Sequence, residues 1–167
     1  LGHAGTLDPL AKGLMILGVG SGTKQLTNYI KLDKTYEAEV LIGESRTTGD
    51  MEGEVLESTE VHNLSEQAVA TALQKLIGTQ TLPVSAYSAI KKDGVPMYKR
   101  ARAAAKVGDL VKDVPYRDMQ IYEAALEDIY MKEIEGVDRV IAKVTFAVGS
   151  GTYIRSLAEE LGRTLGY

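Results

Sequence analysis

An aspartate followed directly by proline, Asp8-Pro9, lies in a segment whose residue types could support nucleophilic chemistry. The same segment, Gly2 to Gly13, contains a histidine, His3, and several glycines. Proline fixes its own φ and disfavours the helical region for the residue before it, so Asp8 is expected on an extended or turned backbone. A carboxylate aimed by such a backbone is a candidate nucleophile. The residues alone favour a simpler interpretation, an aspartate that caps a turn.

Two further candidates, Tyr36 and Arg155, each have an ordinary structural explanation. Tyr36 lies on the apolar face of the alternating segment 34–43, where position alone predicts a core side chain. Arg155 lies in a helix predicted over 152–165, where a solvent-facing guanidinium is the default. Position and type therefore do not assign either residue to a site.

No pattern in the sequence indicates a metal centre or a phosphate-binding loop. There is no cysteine, which excludes disulfides and thiolate sites, and His3 and His62 are too few and too isolated for a metal. The glycine-rich stretch 18–24 ends in Gly-Thr-Lys, whereas a phosphate loop requires lysine directly after its second glycine. A turn into a helix is the better interpretation of this stretch.

Five blocks of sequence resemble, in order, the motifs of the TruB family of pseudouridine synthases. They span almost the whole chain, and five in order are far more specific than one. The blocks are Gly2-His-Ala-Gly-Thr-Leu-Asp-Pro9 with Gly13-Leu-Met-Ile-Leu17 and Gly22-Thr-Lys24; Asp33-Lys-Thr-Tyr-Glu37; Thr48-Gly-Asp50 with Gly53; Pro83-Val-Ser-Ala-Tyr-Ser-Ala-Ile-Lys91 with Gly94 and Tyr98; and Gly151-Thr-Tyr-Ile-Arg155.

This resemblance implies roles for four residues. Asp8 matches the family's nucleophile, and Arg155 matches the arginine that pairs with it; a guanidinium favours the charged form of a carboxylate and fixes its orientation. Tyr36 matches the tyrosine that stacks on the flipped target base and is a candidate for moving a proton. His3 matches the histidine that helps to open the RNA loop.

The resemblance also implies a reaction and a substrate. Uridine in the T-loop of tRNA would detach from C1′ of its ribose, rotate and bond again through C5; the sequence leaves open whether the carboxylate attacks the base or the sugar carbon. No redox step or hydrolysis occurs, so no cofactor and no metal are expected. The run Leu10-Ala-Lys-Gly13 resembles the stand-alone bacterial type, and no obligate protein partner is predicted.

Charge is unevenly distributed along the chain. The net charge is -4, yet seven basic residues and only two acidic ones lie between residues 90 and 112. Such a local patch can anchor a phosphate backbone, although charge alone favours a solvated helix. Substrate-binding roles are predicted, besides His3, for Lys91, Lys99, Arg100 and Arg102.

The elements that must position these residues alternate irregularly between strand and helix. This predicts an α+β fold with a mixed, mostly antiparallel sheet and flanking helices. Strands are predicted over 13–19, 34–43, 54–57, 87–92, 119–131 and 139–148, and helices over 23–31, 64–77, 97–106 and 152–165, with a loop at 46–53. Asn63 and Glu66 have the spacing of a capping box for the second helix.

The 167 residues are expected to form one catalytic domain, truncated at both ends, with the basic segment 90–112 contacting RNA. No apolar run approaches the ~18 residues that a membrane span needs, and a cytoplasmic location is expected. Two other classes of protein remain open. One is a non-catalytic RNA-binding or RNA-chaperone protein of the same fold, which would not need the carboxylate; the other is a nucleotide-binding module built on the glycine-rich turn, which the spacing disfavours.

Overall fold

Strands and helices follow one another along the chain in the computed structural model, which describes residues 1–167. The elements are β1 (Gly2–His3), β2 (Leu17–Gly18), a 3-10 helix (Gly20–Gln25), α1 (Thr27–Ile30), β3 (Lys34–Leu41), β4 (Glu44–Arg46), β5 (Val55–Ser58), α2 (Glu66–Leu76), β6 (Gly78–Pro83), β7 (Lys91–Lys92), β8 (Val95–Pro96), α3 (Met97–Ala105), β9 (Tyr116–Ile134), β10 (Val137–Val148) and α4 (Ile154–Leu165). None of the helices has the length and hydrophobicity needed to cross a lipid bilayer.

A four-stranded sheet with the order β3-β10-β9-β6 forms the centre of the fold. Its middle is the long hairpin of β9 and β10, whose turn residues Glu135 and Gly136 have positive φ of 53° and 79°, as the twist of a tight hairpin requires. Every pair of neighbouring strands is antiparallel. This confirms the predicted α+β class with a mostly antiparallel sheet.

Helices α2 and α4 pack together on this sheet and build the core. Apolar residues recur along one face of α2, and three of them, Val69, Leu73 and Leu76, are almost completely buried. From α4, Leu157 and Leu161 are fully buried in the same cluster as Phe146 of β10. Burying one such side chain contributes about 1.5–3 kcal/mol, so this interface fixes α4 firmly against the sheet.

The sheet register places Tyr36 and the beginning of α4 at the same end of the sheet. Val148, the last residue of β10, is paired with Lys34, the first residue of β3. Tyr36 lies directly opposite Phe146, so the two side chains share the face that carries the helices. Arg155 follows in the first turn of α4 and is therefore held near that face.

Two of the predicted elements near the beginning of the chain are wrong. The sequence predicts a buried strand over 13–19, but only Leu17–Gly18 is paired, with Gly2–His3, and Leu14 remains 88% exposed. The partner strand Gly2–His3 has only two residues, so it cannot pair with the rest of the apolar run 13–19. The helix predicted over 23–31 is a 3-10 helix followed by the single turn α1, and of the apolar side chains in this range only Leu26 is buried.

Three further differences concern element boundaries. The cap of α2 is Ser65, whose Oγ accepts from the Ala68 N–H at 3.1 Å, whereas Asn63 lies outside the helix with a φ of 56°. The strand predicted over 87–92 is reduced to Lys91–Lys92, which pairs with Val95–Pro96. Strand β6 was not predicted, because its sequence contains glycine, proline and polar residues; its pairing with β9 makes it a strand.

Candidate active site

Asp8 and Arg155 form a two-point ion pair although 147 positions separate them in the sequence. Arg155 Nε lies 3.0 Å from Asp8 Oδ2, and Nη2 donates to Oδ1 at 3.2 Å. The Arg155 side chain is only 13% exposed, whereas that of Asp8 is 55% exposed. The guanidinium is thus fixed from within the protein and presents a carboxylate to the solvent, in the pairing that the family resemblance implies.

The backbone around Asp8 is a loop that is closed at its base. β1 and β2 pair at its two ends, and the Ala4 N–H donates to the Ile16 carbonyl at 3.0 Å. Next to Asp8, the Ala11 N–H donates to the Asp8 carbonyl at 2.9 Å, which forms a turn over Pro9. Asp8 therefore fits both interpretations of the sequence, the aspartate in a turn and the candidate nucleophile. Its backbone makes the turn, and its side chain binds Arg155.

The other edge of the Arg155 guanidinium is held by two loops. Its Nη1 donates to the Thr48 carbonyl at 2.9 Å and to Ser85 Oγ at 3.3 Å, and it lies 3.6 Å from Asp50 Oδ2. Sequence reasoning placed Thr48, Asp50 and Ser85 within family-like motifs but gave them no role. Asp50 could have been found from the sequence, because it is a second carboxylate within a family-like motif. One arginine can bind two carboxylates, so a further acidic partner for Arg155 could have been expected.

Gly49 allows this loop to approach α4 closely. Its φ is +72°, and a Cβ added there would lie 2.9 Å from Glu159 Oε1 and 3.4 Å from Arg155 Cβ. Glycine adopts this backbone conformation without strain, and the missing side chain leaves room for Arg155. Partial burial raises the pKa of the Glu159 carboxyl, although the charge of Arg155 opposes this effect.

We expect Gly49→Ala to destabilise the protein more than Gly108→Ala does. Gly108 has the same φ of +72°, but no atom lies within 4 Å of a Cβ added to it. Both substitutions introduce the strain of a left-handed backbone, about 1–2 kcal/mol; only the first also forces the Glu159 carboxylate to move from its place beside the loop. Chemical denaturation of both variants measures this difference in unfolding free energy. Equal losses would show that the close approach at Gly49 has no energetic consequence.

Two tyrosines border the pair formed by Asp8 and Arg155. Burial, with a smaller effect from the negative charge of Asp8, raises the pKa of the half-buried Tyr36 phenol. Burial also raises the pKa of Tyr153, against the opposing positive charges of Arg117 and Arg155. Both phenols are therefore neutral near pH 7 and can donate a hydrogen bond or a proton. Tyr36 was predicted as a site residue, whereas Tyr153 was not.

The other predicted residues lie outside this cluster of polar contacts. His3 is in β1, and its Nδ1 accepts from the Gly5 N–H at 3.3 Å. Lys91 and Lys99 are exposed, and the Arg102 guanidinium lies 5.5 Å from the centre of the Tyr98 ring. Arg100 is already engaged, since its Nη2 lies 3.0 Å from Asp93 Oδ2 and donates to the Lys92 carbonyl at 2.7 Å. None of these residues bonds to Asp8 or Arg155.

Comparison with known proteins identifies one family. A family model described as "TruB family pseudouridylate synthase (N terminal domain)" matches residues 1–154. A tRNA pseudouridine synthase B of Burkholderia mallei (strain NCTC 10247) is 41% identical over 167 residues, which cover 99% of this chain and 50% of that protein. The tRNA pseudouridine synthase B of Paenarthrobacter aurescens (strain TC1) is 37% identical over 166 residues, which cover 99% of this chain and 51% of that protein. The chain spans about half the length of the curated relatives it matches.

A solved structure shares the fold. The chain resembles one in the crystal structure of a Cbf5-Nop10-Gar1 complex with a TM-score of 0.53, over 99% of this chain and 36% of that chain. At 21% sequence identity, this similarity supports the arrangement of strands and helices and nothing finer.

Proposed function

The chain belongs to the TruB family of pseudouridylate synthases, and on this basis we propose that it isomerises uridine to pseudouridine in the T-loop of tRNA, with Asp8 as the nucleophile. Residues 1–167 then make up a catalytic domain, with an RNA-contacting segment at 90–112. The observation that carries the proposal is the two-point contact between Arg155 and the half-exposed carboxylate of Asp8.

The reaction exchanges one glycosidic bond for another. The bond between N1 of uracil and C1′ of the ribose breaks, a bond between C5 and C1′ forms, C5 loses a proton and N1 gains one. Asp8 can attack either the base or the sugar carbon, and both routes require an ionised carboxylate of fixed orientation. Arg155 supplies that fixation, because a guanidinium bound at two points allows the carboxylate little rotation.

The target uridine must leave its stack before Asp8 can reach it. Flipping a base costs a few kcal/mol, and stacking on an aromatic ring returns about 1–3 kcal/mol. We propose Tyr36 as the stacking ring, and its location at the end of β3 nearest to Asp8 and α4 supports this role. Its neutral phenol can also take part in the proton transfer between C5 and N1.

A direct test is the conversion of unmodified tRNA, followed by nucleoside analysis. We expect pseudouridine at a T-loop uridine, and we expect an isolated T-arm stem-loop to be converted while an anticodon-arm stem-loop is not. Conversion of both stem-loops at equal rates would contradict the T-loop assignment while leaving the isomerase activity intact. If neither the tRNA nor either stem-loop were converted, the proposed activity itself would be contradicted.

The basic segment should make binding of tRNA depend on salt. We expect replacement of Lys99, Arg100 and Arg102 by alanine to weaken binding and flatten its salt dependence, by about 0.7–0.9 in the log–log slope for each phosphate that is no longer neutralised. Arg100 should contribute least, because it is bonded to Asp93. Lys132→Ala is a control for the loss of a single basic side chain outside the segment, since Lys132 pairs with Glu39 on the sheet. An unchanged slope in the triple variant would show that these residues form only a solvated face.

A further inference from the structure

A buried cluster of charges lies beside the loop that holds Arg155. The Glu44 side chain is 2% exposed and binds two arginines, with Arg46 Nε at 2.6 Å from Oε1 and Arg139 Nη2 at 2.9 Å from Oε2. Arg46 is itself 8% exposed and also reaches Glu135 Oε2 at 3.3 Å. Burial would lower the pKa of Arg46, but the hydrogen bond and charge of Glu44, with a contribution from Glu135, raise the pKa above its ordinary value. Its guanidinium is therefore permanently charged.

Arg46 connects this cluster to the loop of residues 47–53. Its Nη1 donates to the Gly53 carbonyl at 3.2 Å and to the Met51 carbonyl at 3.4 Å. Its own carbonyl accepts from the Gly49 N–H at 3.0 Å. A single residue thus binds the loop at its beginning, middle and end.

Apolar packing contributes little to holding the loop. Its one large apolar side chain, Met51, is 42% exposed, so the loop lacks an anchor in the core. A cavity of about 210 Å³ lies against it, lined among others by Gly49, Asp50, Glu159 and Tyr167. The position of the loop therefore depends on hydrogen bonds. Arg46 binds it at several points, Ser85 Oγ and Arg155 donate to the Thr48 carbonyl at 3.4 and 2.9 Å, and bonds within the loop, such as Gly53 N–H to the Asp50 carbonyl at 3.2 Å, complete the set.

The same loop supplies two of the partners that orient Arg155, the Thr48 carbonyl at 2.9 Å and Asp50 Oδ2 at 3.6 Å. Buried ion pairs often stabilise a fold no more than apolar side chains of the same volume would. What Glu44 provides by binding Arg46 is a defined geometry for the loop, and displacement of a reacting group by about 1 Å can reduce a rate ~10²-fold.

We propose that Arg46 is a positioning residue: anchored on Glu44, it holds the loop of residues 47–53, and through this loop it fixes Arg155 and the Asp8 carboxylate in the geometry that the reaction needs. The assignment rests on the proposed function, since it names how the same site is assembled. Arg46 touches neither Asp8 nor Arg155 and acts only through the loop.

The test compares Arg46→Lys with Arg139→Lys in the full chain. Both variants keep a positive charge beside Glu44, but a lysine at position 46 has one ammonium group and cannot bind Glu44 and the loop carbonyls together. Arg139 bonds to Glu44 and Ser58 and makes no bond to the loop, so its variant disturbs the cluster alone. Measurements are amide hydrogen exchange, the thermal midpoint, and kcat and KM for pseudouridine formation.

For Arg46→Lys we expect the amides of Thr47, Gly49 and Gly53 to exchange at least about tenfold faster, while exchange in β9 and β10 is unchanged. We expect kcat to fall about 10- to 100-fold, with KM within about twofold of the wild-type value, because misplacing Arg155 lowers the rate of the chemical step more than it weakens substrate binding. Arg139→Lys should show neither effect. Equal losses of activity in both variants, or a loop whose exchange does not change, would overturn the proposal.

Failure of the proposed function and failure of the positioning role give different results. If the wild-type protein forms no pseudouridine, the proposed function fails, and the exchange pattern still decides whether Arg46 holds the loop. If Arg46→Lys does not fold, Glu44→Gln replaces it, since the amide keeps an acceptor for Arg46 but removes the charge that fixes it. Faster exchange confined to the loop is again expected, and uniform or unchanged exchange overturns the proposal.

Discussion

Replacement of Asp8 by asparagine is expected to abolish pseudouridine formation while leaving tRNA binding within several-fold of wild type. Asparagine keeps the size of the side chain and a hydrogen-bonding oxygen toward Arg155, but it removes the negative charge and most of the nucleophilicity. Removal of a sole nucleophile commonly reduces a rate by at least ~10⁴-fold. The measurement is single-turnover conversion of unmodified tRNA, with a parallel binding assay.

The matched control for this variant is Asp138→Asn, which removes one negative charge from an exposed position of β10. It should retain normal turnover. Residual activity of Asp8→Asn above about one per cent of wild type would show that Asp8 is not essential. Parallel loss of affinity and activity would point instead to damage of the loop between β1 and β2.

Replacement of Arg155 by lysine is expected to have the second-largest effect, a loss of about 10²–10³-fold in kcat. Arg155 bonds at once to both oxygens of Asp8, to the Thr48 carbonyl and to Ser85 Oγ. One ammonium group cannot satisfy this planar set of acceptors. The carboxylate then loses its fixed orientation even though a positive charge remains nearby.

Arg163→Lys is the control on the same helix, since Arg163 pairs only with Glu160 and its side chain is 74% exposed. Its kinetics should equal those of the wild type. Thermal unfolding of both variants separates loss of activity from loss of structure. If Arg155→Lys kept more than about a third of the wild-type kcat, two-point fixation of Asp8 could not be a requirement of the reaction.

Sequence patterns predicted three of the four strands of the central sheet, all but β6, and predicted the beginning of the chain poorly, for a physical reason. The alternation of apolar residues in β3 and β10 reflects one buried face, and the structure buries it. The apolar run 13–19 has a similar composition, but Leu14 and Leu17 remain largely exposed because only two residues there find a partner strand. The local pattern of residue types indicates which side chains a segment could bury, but it does not show whether another element packs against them.

The candidate site was likewise predicted only in part. The pairing of Asp8 with Arg155 was predicted through resemblance to a family, since no local rule links residues 147 positions apart. The contacts of Arg155 with Thr48, Asp50 and Ser85 were not predicted, because they depend on how two loops meet α4. Arg46 was assigned to a loop, and only the structure shows that it ends β4 and binds the carbonyls of Met51 and Gly53.

The central claim is that this protein performs chemistry on uridine, and the hydrogen at C5 of the base reports on it directly. Isomerisation replaces the C5–H bond by a bond to C1′, whereas binding alone leaves C5 untouched. In tRNA labelled with tritium at C5 of uridine, we predict release of one tritium into water for each pseudouridine formed by the wild-type protein, and no release with Asp8→Asn. Binding of the labelled tRNA by the wild-type protein without release of tritium would contradict the account and identify a non-catalytic RNA-binding protein of the same fold.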